Sequence, residues 1–125
     1  MQCLLVDDDV DDQEVFLLTL EKINKNIKCL TANNGAEALS LLTAPHSFVP
    51  DFIFLDVNMP KMNGIECLKR LKDLAHLNTC KIFMYSTTSE PSVLEKSKKL
   101  GAADFIVKPA SPAVLQEILS VILNN

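Results

Sequence analysis

The chain has 125 residues, 48% of them hydrophobic, with three Gly, six Pro and a formal net charge of −4. That is the length of a single domain with enough apolar material for a core, and it excludes a disordered or low-complexity chain. A negative balance argues against nucleic acid as partner, because such affinity comes from a basic surface, and the longest apolar runs fall far short of the ~20 residues of a membrane span.

Residues 2–6 (QCLLV) read as a buried strand, short, aliphatic and closed by acids. Residues 10–24 follow with Val15, Phe16, Thr19, Leu20 and Ile23 at helical spacing. A second strand is expected over 27–31 (IKCLT), after which Asn33-Asn34-Gly35 opens a helix over 34–44 carrying Ala38, Leu41 and Leu42. The third strand, 51–55 (DFIFL), precedes a helix over 63–75 on Ile65, Leu68, Leu71, Leu74 and Ala75. The fourth, 81–85 (KIFMY), precedes one over 90–100 on Val93, Leu94, Ser97 and Leu100, started by Ser89 with Pro91. The fifth, 103–107 (ADFIV), precedes one over 111–123 on Val114, Leu115, Ile118, Leu119 and Ile122, started by Ser111 with Pro112.

Parallel strands need right-handed crossovers, so five βα units imply an α/β fold: a doubly wound parallel sheet with helices on both faces, a three-layer sandwich. No repeat or linker appears, and one domain over 1–125 is expected. Met1-Gln2 runs straight into the first strand without the basic flank and cleavage site of a signal peptide, so the expected location is cytoplasmic. Cys3, Cys29, Cys67 and Cys80 lie far apart with no C-x-x-C pair, which excludes a zinc ribbon or thioredoxin-type site and leaves buried inert thiols. Lys96, Lys98 and Lys99 read as a solvated helix face, and His46 and His76 as surface residues.

Ligands of doubly wound sheets sit at the carboxyl ends of the strands. There the chain places Asp7 and Asp8 after the first strand, Asp56 after the third, Ser86 after the fourth and Lys108-Pro109 after the fifth. Each alone is an ordinary turn former, helix cap or solvated side chain. Together they are acids, a hydroxyl and a lysine converging on one edge, which suits phosphate chemistry and a hard cation such as Mg²⁺ held through one or two carboxylates.

Rival readings of the acidic run VDDDVDD make demands the residues do not meet. An EF-hand loop starting at Asp7 needs Gly where Asp12 stands and Glu where Leu18 stands, and no G-x-x-x-x-G-K-[ST] phosphate loop occurs. A haloacid-dehalogenase-like phosphatase also has an acid pair after its first strand, here Asp7 and Asp9, but would follow it with Gly-Thr and put further acids where Lys108 stands.

The segments LLVDD (4–8), FLDVNMPKMNG (54–64), MYSTTSE (84–90) and GAADFIVKP (101–109), in this order on strand ends, resemble the receiver domain of two-component response regulators along essentially the whole chain. The likeness is to single-domain, chemotaxis-regulator-like members. It implies a flavodoxin-like fold with strand order 2-1-3-4-5. It also implies that Asp56 is the phosphoacceptor, that Asp7 and Asp8 hold Mg²⁺ with Asp56 and the Asn58 carbonyl, and that Ser86 and Lys108 contact the phosphoryl group. Ser86 and the aromatic Phe105 are then the switch pair, and Thr87, Asn58 and Thr88 govern access to the phosphoryl site. The Lys108–Pro109 bond is expected to be cis.

Asp9, Asp11 and Asp12 receive no chemical role and read as exposed charges opening the first helix. The implied donor is a sensor histidine kinase or a histidine phosphotransfer protein. Output to an unidentified protein target is expected through helix four, strand five and helix five, including Lys96, Lys99, Phe105 and Gln116. Such a domain is a regulator that catalyses only its own phosphorylation and dephosphorylation. A monomer is expected, with dimerisation on phosphorylation left open. A protein-binding module indifferent to phosphorylation is the first alternative on the same fold, and a haloacid-dehalogenase-like phosphatase the second.

Overall fold

The computed structural model describes residues 1–44 and 48–124, so His46 lies outside the described residues. In chain order the elements are β1 (Gln2–Val6), α1 (Val10–Ile23), β2 (Lys28–Ala32), α2 (Gly35–Thr43), β3 (Phe52–Leu55) and α3 (Gly64–Lys72). A single 3₁₀ turn (Ala75–Leu77) leads to β4 (Lys81–Ser86), α4 (Pro91–Lys99), β5 (Asp104–Val107) and α5 (Pro112–Leu123). The strands form one parallel sheet in the order β2-β1-β3-β4-β5. This is the flavodoxin-like doubly wound arrangement.

Alternation along the strands sorts the side chains into two chemically different cores. Leu4 and Val6 of β1, Ile53 and Leu55 of β3, and Ile82 and Met84 of β4 meet Ala38 and Leu42 of α2 and Cys67, Leu68 and Leu71 of α3 in an aliphatic and sulfur layer. Their neighbours Leu5, Phe52, Phe54, Phe83 and Tyr85 face α1 and α5, where they pack on Phe16, Leu20, Leu115 and Leu119. Phe16 meets Phe54 edge to face at 5.0 Å, and Phe54 stacks on Phe83 at 5.5 Å. Central strands buried on both faces explain why FIFL reads as an unbroken apolar run.

Element ends follow capping chemistry. Asp9 caps α1 by accepting from the Asp11 and Asp12 amides, Asn34 caps α2, Asn63 caps α3 and Ser111 caps α5. Four local expectations are corrected. β2 runs one residue later than 27–31, because Ile27 closes a turn onto the Asn24 carbonyl and Ala32 pairs with Val6. α3 stops at Lys72, short of 75, where the Asp73 amide folds back on Arg70 and Leu71 and the following turn buries Leu77. Ser89 does not cap α4: Glu90 stands at that position with no side-chain cap, and Pro91 opens the helix. The Lys108–Pro109 bond is trans, the form an X–Pro amide favours by about 0.5–1 kcal/mol, and Lys108 reaches the acids from it.

Three of the four thiols are buried as expected, and Cys29 is the exception. All are free; Cys3, Cys67 and Cys80 are buried and Cys29 half-buried. Burial pushes the Cys3 and Cys29 thiols up to about 12 and those of Cys67 and Cys80 up to about 11, so none is a thiolate near neutral pH. Among the described residues no helix is long and apolar enough to cross a membrane.

Candidate functional site

Three strand ends carry the acids and the lysine to one place. Beyond β1 the Asp7 amide donates to the Ala32 carbonyl at 3.0 Å, which holds the fully buried Asp7 in line with the sheet. Its Oδ1 accepts from the Asp9 amide at 2.9 Å, and its carbonyl accepts from Gln13 Nε2 at 2.6 Å. Beyond β3 the Asp56 amide donates to the Val6 carbonyl at 3.0 Å, and Asp56 is 5% exposed. Beyond β5 the Lys108 amide donates to the Ser86 carbonyl at 2.8 Å, so its side chain turns back over the sheet edge.

One carboxylate oxygen from each of Asp7, Asp8 and Asp56 lies within 4.8 Å of the others. Asp7 and Asp56 are buried and Asp8 is exposed, which gives the group an inner wall and an open mouth. Lys108 Nζ stands 2.8 Å from Asp7 Oδ2, 2.8 Å from Asp12 Oδ2 and 3.5 Å from Asp56 Oδ2. It also lies 5.3 Å from the centre of the Tyr85 ring.

Burial raises the Asp7 carboxyl above its usual range, outweighing its bonds to Lys108 and the Asp9 amide. Burial by itself would depress the Lys108 ammonium, but hydrogen bonds to Asp12 and Asp7 and the charge of Asp56 reverse this and raise it. Burial likewise raises Tyr85 to about 12. One ammonium therefore faces more negative charge than it neutralises. An oxygen-only donor set with a surplus of charge and an open side fits a hard divalent cation.

The remaining site candidates fall around this cluster. Ser86 ends β4 fully buried, and its Oγ has no hydrogen-bond partner. A buried hydroxyl without a partner costs about 1–3 kcal/mol, so it is an open demand for an acceptor or donor at the strand end. Asn58 is exposed, and its amide reaches Asp56 Oδ1 at 3.3 Å. Thr87 is exposed, while Thr88 is half-buried and accepts the Glu90 amide at 3.4 Å.

Phe105 is half-buried against the aliphatic core, on the same sheet face as Ser86, whose register partner is Val107 two residues further on. The α4 side chains that join Phe105 around a cleft of about 460 Å³ are Leu94, Ser97 and Lys98. Lys96 and Lys99 instead line the groove between α3 and α4, and Gln116 is half-buried on α5. His76 is exposed, its Nε2 2.9 Å from the Leu42 carbonyl.

The loop from Asp56 to α3 is shaped by two positions. Lys61 takes φ 68°, the left-handed region that favours glycine. Gly64 packs so closely under Asp56 that a Cβ there would lie 2.1 Å from the Asp56 carbonyl oxygen.

Asp12, Gln13 and Tyr85 are the side chains that sequence reading missed. Asp12 is no mere exposed helix-opening charge: α1 carries it to Lys108 across 96 residues of sequence. Gln13 Nε2 links Asp7 to Asn33 Oδ1 at 2.9 Å. A polar residue at a position that α1 buries, as Gln13 is, was the signal available.

The profile of the response regulator receiver domain matches residues 3–120. The chain belongs to the response regulator receiver family. This receiver domain is 32% identical over 125 residues to a chemotaxis protein CheY homologue of Campylobacter jejuni, covering 100% of this chain and 94% of that one. Chemotaxis protein CheY4 of Vibrio cholerae superposes with a TM-score of 0.81 at 30% identity, covering 97% of each chain. The phosphorylated cyanobacterial phytochrome response regulator RcpA gives a TM-score of 0.88 at 26% identity, covering 97% of this receiver domain and 89% of RcpA.

Proposed function

We propose that this receiver domain is a phosphoacceptor switch of a two-component phosphorelay. Asp56 is the nucleophile: a carboxylate oxygen attacks the phosphorus of a phosphohistidine, the P–O bond forms as the P–N bond breaks, and the imidazole leaves with the electron pair. Asp7, Asp8 and Asp56, with the Asn58 carbonyl, would hold Mg²⁺, and the ion would offset charge on the transferring group. Lys108 pairs with a phosphoryl oxygen, and Ser86 turns its free hydroxyl to another. Phosphoryl transfer asks for little beyond such positioning and charge.

The donor is a sensor histidine kinase or a histidine phosphotransfer protein, and RcpA offers a related domain described in phosphorylated form. As Ser86 moves, Phe105 turns inward beneath it and the α4–β5–α5 face changes for an unidentified protein target. Thr87, Thr88 and Asn58 set the access of water and therefore the lifetime of the acyl phosphate. A cytoplasmic location fits a phosphohistidine donor.

The observation that carries this reading is the convergence of three carboxylates and one half-buried lysine at the sheet edge where β4 ends in a hydroxyl that lacks a partner. Incubation with Mg²⁺ and a small acyl phosphate, followed by intact mass, tests it. One phosphoryl group on the wild type and none on Asp56→Asn is expected. Turnover of phosphomonoesters without a stable adduct would favour a phosphatase. No adduct and no binding of a phosphoryl mimic would leave a binding module on a receiver fold.

A further inference from the structure

We propose that Asp12 is a second anchor for Lys108 that competes with the phosphoryl group at Asp56, a positioning residue through which this chain weakens its own phosphoryl site. The inference rests on the roles given above to Asp56 and Lys108. The ammonium lies 2.8 Å from both Asp7 and Asp12 but 3.5 Å from Asp56, so it grips least the carboxylate that is to be phosphorylated.

Asp12 stands outside the group of acids that could share a cation, which comprises Asp7, Asp8 and Asp56. With a dication on those three acids, Asp7 and Asp56 would have fewer lone pairs to offer Lys108, which would retreat to Asp12 outside the group.

The surroundings provide for that retreat. A cavity of about 150 Å³ lies beside Lys108, lined by Asp12, Val15, Tyr85 and Pro109 among others. The Tyr85 ring offers its face to the ammonium at 5.3 Å. A single position of the ammonium thus serves Asp7 and Asp12 together, with the Tyr85 ring beside it. A phosphoryl group at Asp56 has to draw it away from Asp12. Asp12 is 39% exposed, so the competing pair sits near the surface end of the ion-pair scale, which corresponds to roughly two- to fivefold in affinity.

The test is binding of beryllium trifluoride, a phosphoryl mimic, in saturating Mg²⁺, followed by calorimetry. Wild type is compared with Asp12→Asn, Asp12→Glu and Asp11→Asn. Asp11 lies in the same helical turn and is exposed, so Asp11→Asn reproduces the charge change away from Lys108. Asp12→Asn is expected to bind roughly two- to fivefold tighter than wild type, beyond any gain in Asp11→Asn, with Asp12→Glu close to wild type. In a Lys108→Ala background the difference between Asp12→Asn and Asp11→Asn should vanish, which a purely structural effect of Asp12 would not do. Equal affinities of Asp12→Asn and Asp11→Asn, weaker binding by Asp12→Asn, or a gain that survives loss of Lys108 would overturn the proposal while leaving the phosphoacceptor reading in place. Failure of the wild type to bind the mimic would overturn both.

Discussion

Replacing Gly64 with Ala probes how tightly α3 is held against the strand end that carries Asp56. A Cβ at this position would lie 2.1 Å from the Asp56 carbonyl oxygen, 2.7 Å from Val57 Cα and 2.8 Å from the Asp56 carbonyl carbon. All three are backbone atoms, so no side chain can rotate away. Either the helix or the strand end must retreat by roughly 1 Å before ordinary contact is restored. The retreat stretches the 2.8 Å bond from the Gly64 amide to the Val57 carbonyl. Overpacking of this kind costs about 1–3 kcal/mol and a lost hydrogen bond about 1, against a helix gain of about 0.5–1 from Gly to Ala. A net loss of about 2–3 kcal/mol by urea unfolding is expected. Because two of the displaced atoms belong to Asp56 itself, phosphoryl uptake should also fall, by as much as about 10²-fold for a shift of that size. Gly35→Ala is the control, since its added Cβ meets Met62 Sδ at 2.9 Å, the movable end of a flexible side chain. If Gly64→Ala costs no more than Gly35→Ala, the close approach is wrong.

Lys108→Ala strips the buried Asp7 and Asp56 of their ammonium and is expected to cost about 3 kcal/mol in EDTA at neutral pH, with partial recovery in Mg²⁺. The raised Asp7 carboxyl favours folding most below its unfolded value of 3.8 and loses that contribution as pH rises through its folded value, so the Lys108→Ala deficit should shrink on acidification. A deficit independent of pH and Mg²⁺ would refute this. Lys61→Gly should stabilise the fold by about 0.5–1 kcal/mol, because glycine takes a φ of 68° without a Cβ penalty; a lower urea midpoint would contradict it. The Cys3 thiol, raised from 9.0 to about 12, contributes stability that is full below pH 9 and lost as pH rises towards 12. From pH 8 to pH 10 the wild type should therefore lose roughly 1 kcal/mol more than Cys3→Ala, and parallel losses would show that Cys3 ionises in the folded protein.

What could be read from the sequence was what depends on neighbours along the chain. QCLLV and FIFL announce buried parallel strands by composition alone, and the residue after each such strand has to stand at the sheet edge, so Asp7, Asp56, Ser86 and Lys108 are gathered by the sequence alone. Element ends were less legible where a tertiary contact decides them: Ala32 joins β2 because Val6 pairs with it, and α3 breaks at Lys72 so that Leu77 can be buried. Asp12 was out of reach for a related reason. Its partner lies 96 residues away, and only the packing of α1 with α5 on one face of the sheet brings its first turn to the end of β5. The free hydroxyl of Ser86 was equally illegible, since the lack of a partner depends on everything packed around it.

The aromatic layer against α1 and α5 has a spectroscopic consequence. The chain has no Trp and a single Tyr. That residue, Tyr85, is buried with its ring 5.3 Å from the Lys108 ammonium. The sole intrinsic fluorophore of any strength is therefore seated beneath the one cation of the acid cluster. Its emission yield and excited-state lifetime should follow the position of that charge. Ultraviolet light alone thus reads the site, with no label attached and no background from a second emitter.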